Sequence, residues 1–492
     1  MSLQDIFQGI DVVEFSGNWK SSVSCLRTDS RRAGPGCAFF ALPGLKTQGL
    51  LFIEEAIARG ASAIVSETPS GSHSHLAWVR VANIRAALAA AARNFHGHPE
   101  KKLALAGVTG TNGKTTVTTL AHHLLQHDGR PWGLVGTVRY ALGTRSLPAH
   151  RTTPESLDLC EMMAHMLASD CEGAVMEISS HAIVQERVSG FDFKALAFTN
   201  LSHDHLDYHG DMETYFQVKA RPFLGLTGKP PTVAIINSDD PAGRRLANMM
   251  PGGVDVLTFG INEEARLRAT DIQLQAGQST FTFSAPGLAT AVSTSLPGHY
   301  NISNILCALG ICHALGRNLG TILPIVTNFP GVPGRMERVA PSLPFQIFVD
   351  YAHTDDALAN ALEMLRAITP GRLLVVFGCG GNRDRAKRPA MTKAAQRFAD
   401  FAWATADNPR KEPQKMIFED MRAGILDAHR ITFVEDRRRA ISLALDTAHP
   451  GDTLLIAGKG HETYQEFADI TVPFDDRQVA HELLLLKQQR LV

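Results

Sequence analysis

The 492-residue sequence contains no run of 18 uninterrupted apolar residues, so nothing in it reads as a membrane-crossing helix. Its first residues, "MSLQDIFQGIDVVEF", have no basic flank ahead of an apolar core. With no secretory signal to read, a cytoplasmic location is expected. Neither sign of charge dominates. Lys plus Arg total 48 against 49 Asp plus Glu, a net charge of -1, so no basic excess favours a nucleic-acid backbone or an anionic membrane. The seven cysteines (Cys25, Cys37, Cys160, Cys171, Cys307, Cys312, Cys379) are odd in number and lack a Cys-x-x-Cys pair. They read as reduced thiols and argue against structural zinc. Internal repeats of 20 to 50 residues and low-complexity tracts are also missing.

What remains is an ordinary globular composition, 44% hydrophobic and 20% charged, on a chain too long for one core. Two polar breaks rich in Pro and Gly, "NFHGHPEKK" (Asn94 to Lys102) and "NFPGVPGRMERV" (Asn328 to Val339), divide it into expected units 1–98, 99–333 and 334–492. The first break has the composition of a linker. Short apolar runs in the first unit flank a helix-like "LLFIEEAIARG", which suggests a small α/β unit. From Leu103 onward, strand-like runs such as "LALAGV", "WGLVGTV", "GAVMEIS" and "TVAIINSDDP" alternate with helical patterns, predicting a mostly parallel sheet covered by helices. The last third repeats this alternation in "FQIFVDYAH", "GRLLVVFGCGGNRD", "FAWATADNPR", "RITFVED" and "DTLLIAGKGHE". Most of these runs end in charged, glycine or amide residues, where an open parallel sheet binds its ligands.

One stretch is more specific. In "ALAGVTGTNGKTTVTTL", Val117, Leu120, Ala121, Leu124 and Leu125 recur with helical spacing from a start near Lys114. Strand, glycine-rich turn, Gly-Lys-Thr-Thr and helix together suit a phosphate cradle, because backbone N–H groups and the helix N-terminus both attract an anion. Lys114 would reach the β/γ-phosphates and the Thr115 hydroxyl would bind Mg²⁺. The common loop pattern fails at Val108, where its first glycine would fall. A glycine turn capping a buried helix is the plainer alternative.

Glu177, near the end of "GAVMEIS", is a candidate Mg²⁺ ligand or a partner of one, and equally a strand-end charge or helix cap. "TNLSHDHLDYHGDM" adds Asp204, His205, Asp207 and His209. His203-x-His205-x-Asp207 matches the start of a zinc-hydrolase pattern, but Tyr208 stands where the next histidine belongs. A magnesium–nucleotide site needs only oxygen ligands.

Together these residues resemble the Mur ligases of bacterial cell-wall synthesis. "GTNGKTT" at 110 to 116 looks like their ATP loop, including the glycine spacing that leaves Val108 in place. "MEISSH", "NLSHDHLDYHG", "GHYNISN", "GRMERV", "VDYAHTDDAL" and "GKGHE" follow in family order, across essentially the whole chain. Within the family the chain is similar to members that join an amino acid to UDP-MurNAc-L-Ala-D-Glu, and "DNPR" resembles the signature of those adding meso-diaminopimelate rather than L-lysine. Diaminopimelate carries an extra carboxylate that a guanidinium can grip with two parallel hydrogen bonds. Lysine would leave Arg410 unpaired.

The resemblance implies three domains: a UDP-binding α/β domain, a central P-loop domain and a C-terminal Rossmann-like domain for the amino acid. Gly110, Thr111, Asn112, Gly113, Lys114, Thr115 and Thr116 would hold ATP phosphates. Asn301 and Asn304 would meet the adenine side, and Arg335, Asp350 and His353 would close the third domain over ATP. Thr28, Ser30 and the loop Leu45, Lys46 and Thr47 would contact the uridine nucleotide. Thr152, Thr153, Ser179, Gln185 and Arg187 would hold the muramoyl dipeptide. Arg383, Asp407, Asn408, Pro409, Arg410, Gly458 and Glu462 would form the diaminopimelate pocket. Two Mg²⁺ ions are implied, with Thr115, Glu177, His205 and a carbamylated Lys219 around them, and Lys114, Glu177, His205 and Lys219 as the catalytic set. Taken from the residue alone, Lys219 is a solvated helix charge, and the Ser and Thr positions are turn or cap residues.

Four positions depart from the family: Gln48 and Asn382 replace aspartates, His203 an arginine and Asp355 a proline. The implied reaction is cytoplasmic, by a monomer acting on small molecules. ATP phosphorylates the D-glutamate γ-carboxylate, and the diaminopimelate amine attacks the acyl phosphate. Two rivals stand beside it. Folylpolyglutamate synthetase shares the ATP domain but carries its loop near the N-terminus, and a nucleotide-dependent switch would explain neither "DNPR" nor "GKGHE".

Overall fold

In the computed structural model, which describes residues 1–44, 48–71, 73, 76–127, 129–275, 277–340 and 342–489, the short apolar runs become strands of three successive sheets. The first has five strands in the order Val12–Ser16, Ala77–Val81, Ala63–Ser66, Cys37–Phe40 and Cys25–Arg27. Only the Val12–Ser16 edge runs antiparallel to its neighbour. Helix Ile84–Phe95, capped by the Asn83 side chain, lays an alanine-rich stripe with Ile84 and Leu88 into the same core. Cys25 and Cys37 lie opposite each other on neighbouring parallel strands and are joined as a disulfide. This corrects the expectation of reduced thiols for that pair, since strand register brings together two residues that spacing alone leaves unrelated. The other five cysteines are free and buried.

The expected linker Asn94 to Lys102 is packed structure. It holds the end of that helix and a 3-10 turn, Pro99–Lys101, in which Pro99 and Glu100 are buried. Polar composition hid two inward-facing positions.

The second sheet has eleven strands. Its centre is parallel: Trp132–Val135, Gly173–Glu177, Ala104–Thr109, Ala195–Phe198, Val233–Asn237, Asp255–Gly260 and Leu267–Leu274 lie side by side in that order. Antiparallel hairpins extend both edges. Helices Lys114–Gln126 and His299–Ala314 pack against one another over this sheet, with Val117, Leu120, Ala121, Leu124 and Leu125 fully buried as the sequence periodicity predicts.

The third sheet runs Glu337–Val339, Gln346–Asp350, Thr453–Ala457, Leu373–Cys379, Phe401–Ala406 and Ile431–Val434, parallel except for its first strand. Thr453–Ala457, last in sequence among them, inserts between the second and third. The loops after Cys379, Ala406 and Ala457 therefore emerge from three adjacent strands at one end, the position where such sheets build sites. Among the described residues no helix is long and apolar enough to cross a membrane.

Candidate active site

Strand Ala104–Thr109 delivers the chain into the glycine loop between two neighbours that also contribute residues. After Ala195–Phe198, the Thr199 hydroxyl donates to the Asn112 carbonyl at 2.6 Å. Asn200 accepts from the Asn112 N–H through its side chain and from the Thr111 N–H through its carbonyl, each at 2.9 Å. Gly113 begins the helix at φ +87°, and a Cβ there would collide with the Asn304 side-chain oxygen, so only glycine fits. Asn304 donates to Asn301, which donates to the Pro297 carbonyl. Both asparagines thus stand behind the phosphate loop. The first N–H groups of helix Lys114–Gln126 have no intrahelical acceptor and form, with the loop, an anion cradle.

Lys114 folds over that loop, its ammonium donating to the carbonyls of Gly110 at 3.0 Å and Thr111 at 2.7 Å. Burial lowers its pKa, against the pull of Glu177 and Asp204. Lys219 reaches the same Gly110 carbonyl at 2.8 Å. Only 1% exposed, it is pushed well below the usual lysine range by burial and by Lys114. This overturns the residue-level expectation of a solvated charge: helix Met212–Ala220 turns the position inward beneath the loop.

Glu177 closes the other side. It is 1% exposed, and its carboxylate accepts from the Thr115 hydroxyl at 3.1 Å, the Thr137 N–H at 2.7 Å and the Thr137 hydroxyl at 3.0 Å. It is neither a strand-edge charge nor a cap. These hydroxyl and carboxylate oxygens suit a hard cation such as Mg²⁺. Among the described residues no three His, Cys, Asp or Glu side chains form a metal cluster of their own. A cation here would share its ligands with bound phosphates, as Mg²⁺ commonly does. His203 and Asp207 are exposed, and His205 pairs with Asp204 at 3.3 Å. Partial burial pulls His205 below the usual histidine range despite Asp204, with His181, Lys114 and Lys219 adding to the effect.

Next to Glu177, the Thr137 and Thr152 hydroxyls are 3.0 Å apart, and the Thr153 hydroxyl donates to the Glu177 carbonyl at 2.8 Å while accepting from the Ser179 N–H. Arg187 donates to the Thr153 carbonyl at 2.8 Å and to Gln185 at 2.7 Å, and pairs with Glu155 at 2.9 Å. Arg85 lies 3.6 Å from Glu155 and donates to the Pro43 carbonyl, tying this cluster to the first sheet. Ser30 is buried there, its hydroxyl donating to Glu55 at 2.6 Å, and Thr28 precedes it half-buried. Leu45, Lys46 and Thr47 lie outside the described residues.

From the third sheet, Arg335 stacks over the Tyr351 ring at 4.5 Å and donates to the Thr115 hydroxyl at 3.4 Å. A close approach holds it: Gly334 packs on Gly460 and His461 so tightly that a Cβ would overlap their backbone. Asp350 accepts from the N–H groups of Met336 and Ala352 and is raised by burial. The His353 ring contacts the Tyr351 carbonyl, and Lys387 donates to the His353 carbonyl.

Beyond them a cleft of about 600 Å³ is lined by Asn382, Arg383, Arg410, Lys411, Glu466 and their neighbours. Arg410, at φ +54°, pairs with Glu466 at 3.0 Å and donates to the Gly381 carbonyl, which corrects the expectation that it is unpaired without a second ligand carboxylate. Asn382 also takes a left-handed conformation, φ +52°, and accepts from the Lys411 N–H. Asparagine tolerates that region, which accommodates its departure from the family. Asp355 opens helix Asp355–Ile368, where an acidic first turn favours the helix dipole, so the missing proline costs little.

Asp407 and Asn408 are buried at the mouth of strand Phe401–Ala406, with Pro409 beside them and Gly458 close to the Asp407 carboxylate. Burial raises Asp407, but Lys459 and Arg437 outweigh it and hold the carboxyl below its usual range. The groups that carry this arrangement lie outside the set expected from the sequence. Lys459, Arg388 and Arg437 are all fully buried. Arg388 grips Glu412 with two hydrogen bonds of 2.7 Å. Arg437 pairs with the equally buried Asp476 and donates to the Ala457 carbonyl. Thr137, Arg85 and Glu155 are likewise absent from it. The available signal was Lys459 within "GKGHE"; no motif marks Arg388 or Arg437.

Three family models match the chain: "Mur ligase family, catalytic domain" over residues 22–96, "Mur ligase middle domain" over 108–312, and "Mur ligase, glutamate ligase domain" over 334–460. A relative named UDP-N-acetylmuramoyl-L-alanyl-D-glutamate--2,6-diaminopimelate ligase, from Solibacter usitatus (strain Ellin6076), is 43% identical over 477 residues, 94% of each chain. A solved structure of a ligase with that name is 32% identical and aligns over 99% of both chains with a TM-score of 0.70. The MurF ligase of Thermotoga maritima, solved in complex with ADP, has the same fold at 19% identity and a TM-score of 0.62, over 94% of this chain and 96% of that one.

Proposed function

The chain belongs to the Mur ligase family, and from that premise we propose that it joins meso-2,6-diaminopimelate to the D-glutamate γ-carboxylate of UDP-MurNAc-L-Ala-D-Glu, consuming ATP and forming ADP. The observation that carries this reading is Arg335, which reaches from the third sheet's entry segment to Thr115 of the phosphate loop. Phosphoryl transfer and amide formation would then share one space.

A carboxylate has no leaving group at neutral pH, so it is first made into an acyl phosphate. Lys114, the loop N–H groups and Arg335 would neutralise charge on the transferred phosphoryl group. Thr115 and Glu177 would hold Mg²⁺, which when bound draws charge from the phosphate oxygens. Lys219 fits the proposed carbamate, because burial favours the neutral amine that adds to carbon dioxide. Thr152, Thr153, Ser179, Gln185 and Arg187 would orient the acceptor carboxylate. Asp407, Asn408, Arg410, Gly458 and Glu462 would aim the amine of diaminopimelate, and phosphate leaves from the tetrahedral adduct. An acyl phosphate hydrolyses if water reaches it, so the units bearing Thr115 and Arg335 are expected to close during turnover. The setting is cytoplasmic precursor synthesis, with the chain acting as a monomer.

Phosphate release from ATP tests the reading. It should require UDP-MurNAc-L-Ala-D-Glu and meso-diaminopimelate together, and L-lysine should not replace the latter. Release with ATP alone would favour a nucleotide switch, and equal turnover with L-lysine would refute the Arg410 role.

A further inference from the structure

Lys459 is fully buried, and its ammonium lies 3.0 Å from Glu462 Oε2, 3.1 Å from Asn408 Oδ1 and 3.5 Å from Asp407 Oδ1. Asn408 Nδ2 donates to the same Glu462 Oε2 at 2.9 Å. The side-chain hydrogen bonds found to Glu462 among the described residues end on Oε2, which leaves Oε1 for a ligand. Beneath them Arg437 is committed to Asp476. With Arg437 and Asp476 neutralising each other, the cluster sets two carboxylates, Asp407 and Glu462, against one ammonium, an imbalance that one more positive charge would cancel.

We propose that Lys459 is a positioning and specificity residue, fixing the Glu462 carboxylate and offsetting half the local negative charge so that the site takes an ammonium whose own carbon also bears a carboxylate. This rests on the proposed reaction. Without Lys459 the two carboxylates would repel each other and the site would carry an extra negative charge. That charge favours a lone ammonium, as in L-lysine, and opposes the carboxylate of a zwitterion.

The test is a double-mutant cycle in the full-length enzyme using Lys459→Met and Glu462→Gln, with KM measured for all three substrates. Lys459→Met should raise KM for diaminopimelate about tenfold, the scale for losing a charged hydrogen bond. It should leave KM for ATP and the UDP substrate within about twofold and narrow the preference over L-lysine. With Glu462→Gln already present, Lys459→Met should add less than about twofold, since coupled residues do not add. An equal cost in both backgrounds, or a parallel rise in all three KM values, overturns the proposal. If Lys459→Met does not fold, as judged by its melting transition, Lys459→Gln runs the same cycle under the same criteria. Wild-type enzyme indifferent to diaminopimelate would instead defeat the functional reading.

Discussion

Replacing Arg388 with methionine should loosen the proposed diaminopimelate cleft before it affects the ATP loop. Arg388 is fully buried in helix Lys387–Phe398 and holds Glu412 through two 2.7 Å hydrogen bonds, Asp420 at 2.8 Å and the Gly380 carbonyl at 3.2 Å. Glu412 also accepts from the Asn382 N–H at 2.9 Å, so one carboxylate joins the loop after Leu373–Cys379 to the loop after Phe401–Ala406. Removing one partner of a buried pair costs about 3–5 kcal/mol. Here Glu412 and Asp420 keep 12% and 21% of their side chains exposed, so solvent recovers part of the loss. We expect about 2–3 kcal/mol, a melting transition lower by about 5–10 °C for a unit of this size. Hydrogen bonding to Arg388 holds the Glu412 carboxyl down to about 2 from its usual 4.5. A depressed carboxylate contributes stability that is present above pH 4.5 and disappears as pH falls toward 2. The gap between wild type and variant should therefore narrow on acidification across that window. Calorimetry from neutral to acid pH measures this, and steady-state kinetics should show KM for diaminopimelate about tenfold higher with KM for ATP unchanged. A gap that stays constant with pH, or a rise in KM for ATP alone, would refute the reasoning.

Lys114→Ala should lower phosphate release by about a thousandfold, because a charged donor to the transferred phosphoryl is lost; unchanged product yield would end the ATP-loop reading. Arg410→Lys exchanges a planar fork for a point charge and should raise KM for diaminopimelate about ten- to a hundredfold while sparing KM for ATP. Arg437→Met should cost about 3–5 kcal/mol in denaturant unfolding by stranding Asp476, and Arg437→Met with Asp476→Leu should recover most of it. No recovery in the pair would mean that Arg437 acts chiefly through the Ala457 carbonyl.

Local pattern carried much of this protein into view. The stripe from Val117 to Leu125 announces its helix because burial on one face demands a 3.6-residue period, and a Gly-Lys-Thr-Thr run after an apolar strand is a local device for binding phosphate. The alternation in the last third specifies a parallel sheet, and therefore the end at which "DNPR" and "GKGHE" gather. Inward-facing charge was not legible. Lys219 reads as a solvated cation and Lys459, Arg388 and Arg437 carry no reading from the sequence, because burial of a charge depends largely on partners remote in sequence: Gly110 for Lys219, Glu412 for Arg388, Asp476 for Arg437. The same limit hid the pairing of Cys25 with Cys37, which strand register creates, while the approach of Arg335 to the ATP loop was legible only through the family resemblance, its hydrogen bond to Thr115 spanning 220 residues. The sequence by itself determined which backbone segments become strands, loops and helices, since hydrophobic period and turn chemistry act over a few residues. Tertiary structure alone decided which charges distant in sequence meet, because such an ion pair forms by distance in space, which spacing encodes only for near neighbours such as Lys459 and Glu462.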